Sequence, residues 1–260
     1  MTTLEAELYA LTHRGNPGDR AFYSKACERV QRVLELGTGY GRLIPDLLSN
    51  GTRIKSDRLI IGLDRDPALL AAAKRTVAQL SPGLRRQVRL LRGDMRDFEL
   101  GQTFDRIILP YNGLYCLLNR RDILRCFACV RRHLAPGGEF IFDVWAADGF
   151  HRAMRLNAKS REHRDDPEPI VSFAHRSQVW DVFEKSHLRT RVQRLDVTYT
   201  YISRKRGNRV TIPIEQRYAP SSELTELVAS VGLRSKSIYG DFLMSRFTAK
   251  SPYVVIRAAR

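Results

Sequence analysis

The apolar positions of this chain fall into two regimes that meet near residue 145. In the first, the runs 33–36 (VLEL), 58–63 (RLIIGL), 88–91, 104–110 (FDRIILP) and 139–144 predict five strands. Each run is nearly continuous, as in parallel-sheet strands buried on both faces. Between them 41–50, 67–80 and 120–134 carry the helical period, and Pro67 suits a first helical turn. Ahead of the first strand, 3–13 and 19–31 predict two helices separated by the breaker Gly15-Asn16-Pro17-Gly18. Strand and helix in alternation predict an α/β protein with a doubly wound, mostly parallel sheet.

The second regime has strand character. Residues 150–168 are polar and charged and close on prolines, which predicts a loop or mobile lid. The segments 170–183, 186–203 and 209–219 are rich in Val, Thr, Tyr and Phe in alternation and predict antiparallel strands, with a hairpin turn at Gly207-Asn208. Residues 221–231 predict a short helix opened by serine caps and ended by Gly232, and 234–239 and 253–257 complete the sheet. The expected organisation is an N-terminal helical cap at 1–32, a core at 33–149 and 220–260, and an inserted loop with antiparallel strands at 150–219.

Candidate chemistry begins where the first strand ends. In VLELGTGYG, 33–41, the acidic Glu35 is followed by Gly37, Gly39 and Gly41. Glycines let the chain turn sharply and aim its N–H groups, with the next helix N-terminus, at a bound polar group. The second strand ends in Asp64, 23 residues after Gly41, where a carboxylate can accept ribose hydroxyls of either a nicotinamide or an adenosyl cofactor. Gly93-Asp94-Met95 after the third strand separates the two: the carboxylate can take the adenine amino hydrogens and the thioether can cover the ring. The third glycine of a dinucleotide fingerprint is also out of place.

The set of segments VLELGTGYGR, IGLDRDPALL, LLRGDMRDFEL, FDRIILPYNGLYCLL and RRHLAPGGEFIFDVW, with FYSK upstream and SIYGDF near the end, resembles class I S-adenosylmethionine-dependent methyltransferases. Within them it is most similar to the bacterial group acting on small molecules. The resemblance covers most of residues 20–145 and, weakly, 215–260. It implies a Rossmann-like, seven-stranded sheet of order 3-2-1-4-5-7-6, a last pair that is antiparallel at one edge, an inserted antiparallel β cover after strand five, and S-adenosyl-L-methionine as cofactor. Carried over by residue, it implies that Tyr23 closes over the methionine carboxylate side. Glu35, Gly37, Thr38 and Gly39 then face the methionine part, Asp64 with Arg65 serves the ribose, Asp94 with Met95 serves the adenine, and Leu109 joins them.

In-line methyl transfer asks for alignment and exclusion of water rather than for a metal. The acceptor is expected at the carboxyl ends of strands four and five, beside Asn112, Tyr115 and Trp145, with Arg217 and Tyr218 from the inserted strands and Tyr239 from SIYGDF. Tyr111, Asp143 and His175 are the candidates for catalysis; Asp143 is either a base or an anchor for the loop that follows it, and His187 shares with His175 a place in the cover. Leu109-Pro110-Tyr111-Asn112 lacks the Asn/Asp-Pro-Pro-Tyr order of nucleobase amino-methyltransferases. A small-molecule acceptor, methylated on oxygen or nitrogen, is therefore expected.

Charge complicates the picture. The net charge of +16 would attract nucleic acid, which keeps open an RNA or protein methyltransferase, beside a catalytically silent cofactor-binding protein. The basic residues are nonetheless spread along the chain, and the cluster Arg204, Lys205, Arg206 and Arg209 surrounds a hairpin turn. The four cysteines include one CxxC, Cys126 and Cys129, inside a helical pattern, and are expected to be reduced packing residues. No apolar run approaches the roughly 20 residues of a membrane span, so a cytoplasmic protein is expected, with exposed edges of the inserted sheet as the place where a homodimer would form.

Overall fold

The computed structural model describes residues 1–49, 58–151, 163–165 and 168–260, the middle short segment by its backbone alone. Helices α1 (Thr3–Thr12) and α2 (Asp19–Ala26) precede β1 (Arg32–Leu36), α3 (Ile44–Ser49), β2 (Leu59–Asp64), α4 (Pro67–Ala78), the single turn α5 (Pro82–Arg85) and β3 (Val88–Arg92). Then come β4 (Phe104–Leu109), α6 (Arg120–His133) and β5 (Leu134–Trp145). The second regime holds β6 (His163–Asp165), β7 (Val171–His175), β8 (Gln178–Arg189), β9 (Arg194–Ser203) and β10 (Arg209–Arg217), and α7 (Ser221–Ser230), β11 (Arg234–Tyr239) and β12 (Tyr253–Ala259) finish the chain.

Among the described residues, seven strands form one sheet in the order β11-β12-β5-β4-β1-β2-β3. The pairs from β3 to β5 are parallel, while β12 is antiparallel to both β5 and β11. This is the expected doubly wound, Rossmann-like sheet. Its central strands are largely apolar because both faces are covered: Leu34, Ile107, Phe127 and Phe142 pack on one side, and Phe22, Leu47, Ile108 and Val255 on the other. A separate antiparallel sheet of order β10-β9-β8-β6, with β7 also paired to β8, follows strand five.

Three expectations are corrected. The run 170–183 is two strands, because Arg176 and Ser177 both adopt left-handed φ, 49° and 61°, and make a two-residue hairpin. The run 186–203 is interrupted by a turn of 3₁₀-helix at Thr190–Val192 and by Gln193 at φ 52°. Helix α7 has no serine cap; the Asp148 carboxylate, from the segment that follows β5, accepts Ser221 N–H at 3.1 Å and Ser221 Oγ–H at 2.6 Å. Of the expected loop 150–168, residues 152–162 and 166–167 lie outside the described residues, and residue 50 of the expected helix 41–50 does too, while His163–Asp165 pairs with β8.

Helix α1 joins the two sheets. A capping box between Thr2 and Glu5 starts it, and its Leu8 is buried against Trp180, Val182, Tyr201 and Ile212 of the antiparallel sheet. On its other side the Met1 ammonium lies 2.7 Å from Asp66, whose second oxygen caps α4 through Ala68 N–H and Leu69 N–H. Glu7 meets His175 at 3.0 Å, Arg176 at 2.7 Å and Arg75 of α4 at 3.6 Å.

Close packing under the glycine turn yields a test. A Cβ on Gly62 of β2 would stand 2.9 Å from Thr38 Cγ2 and Oγ1 and 3.0 Å from Leu90 Cδ2. Gly62→Ala is expected to destabilise the protein by about 1–3 kcal/mol, the usual cost of overpacking, and to lower the urea midpoint; an unchanged midpoint would contradict the packing described.

Candidate active site

The glycine turn follows β1 directly. Gly37, Gly39 and Gly41 have φ of 62°, 57° and 75°, values that other residues reach only with strain. A Cβ at Gly37 would find only Leu109 Cδ1, at 3.8 Å, and one at Gly39 only the Gly37 carbonyl, at 4.0 Å. The turn is thus a cradle whose open side a side chain would fill. Its shape is held by Thr38 N–H to the Leu63 carbonyl (3.1 Å), Gly39 N–H to Asp64 Oδ2 (2.7 Å) and Thr38 Oγ–H to Glu35 Oε2 (2.7 Å).

Two carboxyl groups stand behind this cradle. Glu35 is buried, and burial pushes it up to about 7 against the opposing Thr38 hydrogen bond and the Arg42 charge. Asp64 is likewise raised by burial, with Asp66, Gly39 and Arg65 N–H groups pulling the other way. Its oxygens accept Gly39 N–H and Asp66 N–H, at 2.7 and 2.9 Å. A carboxylate has about four acceptor sites, so lone pairs remain for a ribose. The cradle and this carboxylate fit an adenosyl cofactor.

At the adenine end the arrangement is less open than expected. Asp94 is gripped by Arg96, whose Nε and Nη2 lie 3.0 and 2.6 Å from Oδ2 and whose backbone N–H donates to Oδ1 at 2.9 Å. This guanidinium holds the carboxyl below the usual range and also reaches Asp122 at 3.0 Å. Receiving an adenine amine would mean exchanging one of these contacts. Met95 packs against the main core.

The carboxyl ends of β4 and β5 are tied by two side chains. Asp143, fully buried, accepts Tyr23 O–H at 2.6 Å and Tyr111 N–H at 2.9 Å on Oδ1, and Asn16 Nδ2–H at 3.3 Å on Oδ2. Burial pushes it up to about 6, against the Tyr23 and Tyr111 hydrogen bonds. Asn112 Oδ1 accepts Trp145 N–H at 2.6 Å, and Asn112 N–H donates to the Asp143 carbonyl at 3.1 Å. Tyr111 and Asn112 both have left-handed φ, 53° and 60°, a strain these bonds offset. In this geometry Asp143 acts as the anchor, and the Tyr23 hydroxyl is committed to it.

The remaining expected residues divide. Tyr111 lies under the Arg42 guanidinium, 5.5 Å from its ring centroid, and Arg42 forms a buried bidentate pair with Asp19 at 2.9 and 2.7 Å. Tyr115 is buried, with its hydroxyl 3.1 and 3.0 Å from the Trp145 and Ala219 carbonyls. Trp145 packs between Tyr115 and Tyr218, at ring-centroid distances of 5.4 and 5.6 Å. The buried Tyr218 hydroxyl has no hydrogen-bond partner among the described residues. Arg217 pairs with Glu223 at 2.6 Å and Gln193 at 3.1 Å. Tyr239 ends β11 and packs in the cluster of Phe22 and Phe242, and His175 is engaged by Glu7 at the α1 contact.

Residues that sequence reasoning passed over stand closer to the strand ends. Tyr9 and His13 stack at 4.1 Å, His13 meets Tyr199 edge-on at 4.7 Å and Tyr111 at 6.4 Å, and Tyr40 O–H donates to the His13 carbonyl at 3.0 Å. Cys116 and Asp64 are near enough to the Tyr9 hydroxyl to raise its pKa further, after the larger effect of burial. The available signal was the i,i+4 spacing of Tyr9 and His13 on a helix, which also describes ordinary core packing.

The sheet order and the glycine cradle after β1 form a Rossmann-like fold. Residues 33–138 match the family described as "Methyltransferase domain". The chain is similar in structure to the CcbJ methyltransferase of Streptomyces caelestis (TM-score 0.76, 23% identity, 94% of this chain and 90% of that one). It is also similar to a methyltransferase of Clostridium acetobutylicum ATCC 824 that depends on S-adenosylmethionine (TM-score 0.73, 16% identity, 97% and 96%). A third neighbour is CalS10 of Micromonospora echinaspora, an amino pentose methyltransferase solved with S-adenosylmethionine bound (TM-score 0.66, 20% identity, 100% and 97%). YqeM of Bacillus subtilis is 23% identical over 232 residues, 88% of this chain and 84% of that protein. Residues 33–138 thus carry a match to a methyltransferase domain, and the likeness to these solved structures is one of fold.

Burial of Glu35 makes stability depend on pH. Its folded pKa of about 7 lies above that of an unfolded glutamate, so its contribution is complete below about pH 4 and is lost as pH rises through about 7. The stability of Glu35→Gln relative to the unsubstituted protein is expected to improve by roughly 2–4 kcal/mol between pH 5 and pH 8, measured by urea unfolding of the ligand-free protein. A difference that stays constant with pH would show that Glu35 is ionised throughout.

Proposed function

We propose that this protein is an S-adenosylmethionine-dependent methyltransferase that methylates a small-molecule acceptor, on nitrogen or oxygen, admitted between the carboxyl ends of β4 and β5 and the antiparallel sheet. The observation that carries this reading is the aromatic wall over the strand ends: Tyr9 and His13 from α1, Tyr111 after β4 and Tyr199 from β9 meet there at ring-contact distance. Such walls with a few fixed polar groups suit a compact organic ligand. Segments 1–32 and 150–219 then act as a cap and cover over a core of 33–149 and 220–260.

When bound, S-adenosylmethionine supplies a methyl group already activated by its sulfonium. The chain's own task is to bind, align and exclude water. In this reading Gly37, Thr38 and Gly39 cradle the methionine part, Asp64 holds the ribose, and Asp143 with Asn112 fixes the strand ends that face the acceptor. Trp145 and Tyr218 form the apolar floor toward the cover. The basic hairpin is a weaker basis for a polyanion partner, since Arg204 is already paired with Asp181 at 2.8 Å. CalS10 is an amino pentose methyltransferase and KedS8 of Streptoalloteichus a sugar N-methyltransferase; both are consistent with a small acceptor here.

Incubation with methyl-tritiated S-adenosylmethionine and a bacterial extract, split by ultrafiltration into small metabolites and retained macromolecules, tests the acceptor class. Label is expected to accumulate in the small-metabolite fraction. Label confined to RNA or protein in the retained fraction would overturn the reading.

A further inference from the structure

His13 is a buried histidine, 8% exposed, in which each feature of the imidazole is set by a neighbour. Nδ1 lies 3.1 Å from the Tyr9 carbonyl. A carbonyl can only accept, so the proton resides on Nδ1 and the Nε2 lone pair is left available. No described residue forms a hydrogen bond to Nε2. The ring plane is fixed by the Tyr9 stack, 4.1 Å and 12°, and by the edge contact with Tyr199, 4.7 Å and 86°. The backbone is held as well, through Tyr40 O–H on the His13 carbonyl. An imidazole so oriented, with one tautomer and one unspent lone pair beside Tyr111 at the end of β4, has the form of a proton acceptor.

Resting on the proposed methyltransferase reading, we propose that His13 is the catalytic base of this enzyme and that its acceptor is an amine. The acceptor arrives as an ammonium, the wall of Tyr9, Tyr111 and Tyr199 offers it aromatic faces, and one N–H bond breaks as the proton passes to Nε2. The pair of that bond remains on nitrogen and forms the new bond to the methyl carbon, while the sulfur–carbon pair stays on sulfur. The products are a methylated ammonium, S-adenosylhomocysteine and a proton that leaves Nε2 for water as the site opens.

An amine is preferred over an alcohol by the size of the proton mismatch. Burial lowers His13 to about 4, against the smaller opposing effect of the Tyr9 carbonyl, so the ring is neutral at physiological pH. An aliphatic ammonium titrates near ~10 in water, and burial lowers it by up to roughly 3–5 units, toward the imidazole. Burial moves a hydroxyl the other way. The groups around the ring are the Tyr9, Tyr111, Tyr199 and Tyr40 phenols, with Arg42 over Tyr111 and Glu184 acting on Tyr199. None of these is an ion-pair partner of His13.

Sinefungin, the cofactor analogue with an amine in place of the methyl sulfonium, is a probe that requires no knowledge of the acceptor. Titration calorimetry with sinefungin and S-adenosylhomocysteine compares the unsubstituted protein with His13→Phe and His13→Gln. His13→Phe is expected to weaken sinefungin about tenfold, the worth of a hydrogen bond to a charged group, while S-adenosylhomocysteine binds within about twofold of its original affinity by the same reckoning. His13→Gln, whose amide oxygen can reach the place of Nε2, restores most of the difference. In ¹⁵N spectra of the imidazole, Nε2 is expected unprotonated at neutral pH and to shift with sinefungin but not with S-adenosylhomocysteine. A parallel fall of both ligands, an unchanged ratio in both variants, or a protonated Nε2 would overturn the role of His13. Failure of the unsubstituted protein to bind S-adenosylhomocysteine would instead remove the underlying methyltransferase reading.

Discussion

Where β4 and β5 end side by side, the Asp143 carboxylate gathers the Tyr23 hydroxyl, the Tyr111 N–H and the Asn16 amide. Those three donors belong to α2, to the turn after β4 and to the linker between α1 and α2. One buried group therefore fixes the position of the cap relative to the strand ends. A buried carboxylate stripped of such partners would carry a desolvation cost of several kcal/mol. The Tyr111 bond, with Asn112 N–H on the Asp143 carbonyl and Trp145 N–H on Asn112 Oδ1, holds Tyr111 and Asn112 in left-handed backbone, which turns the chain over the end of the sheet and leaves the Tyr111 ring facing Arg42 and His13. The arrangement of the strand ends depends on this clasp.

Helix α1 extends the clasp into an enclosure. Leu8 is buried in the antiparallel sheet, Glu7 joins β7 to α4 through His175 and Arg75, and the Met1 ammonium reaches the cap of α4. The helix thus stands between α4 and the antiparallel sheet. A single helix contacting both is sufficient to bring Tyr9 and His13 to the strand ends. In the proposed reading, this apolar burial contributes to the exclusion of water that methyl transfer requires.

Much of this was legible in the sequence. Parallel strands are buried on both faces, so VLEL, RLIIGL and FDRIIL announce themselves as continuous apolar runs, and the glycine turn is encoded by residues that only a left-handed backbone requires. The antiparallel sheet was visible as a region but not in its strand ends: Arg176, Ser177 and Gln193 take positive φ without being glycine, and composition gives no warning of that. The cap of α7 was missed because Asp148 is far from it in sequence. At the site, Glu35 and Asp64 could be placed because they sit at fixed offsets from strand ends. His13 could not, since its tautomer, its stack and its nearness to Tyr111 arise only when α1 docks on the second sheet. Asp94 was expected to receive the adenine amine, and its carboxylate is held by Arg96, two residues away.

The account turns on the glycine cradle and Asp64 forming an adenosyl-cofactor site. Titration calorimetry of the purified protein with S-adenosylhomocysteine, with NADH in parallel and Asp64→Ala as the comparison, addresses that most directly. The account predicts micromolar binding of S-adenosylhomocysteine, none of NADH, and loss of binding in a folded Asp64→Ala protein. Binding of NADH instead, or S-adenosylhomocysteine binding that survives removal of the Asp64 carboxylate unchanged, would contradict it.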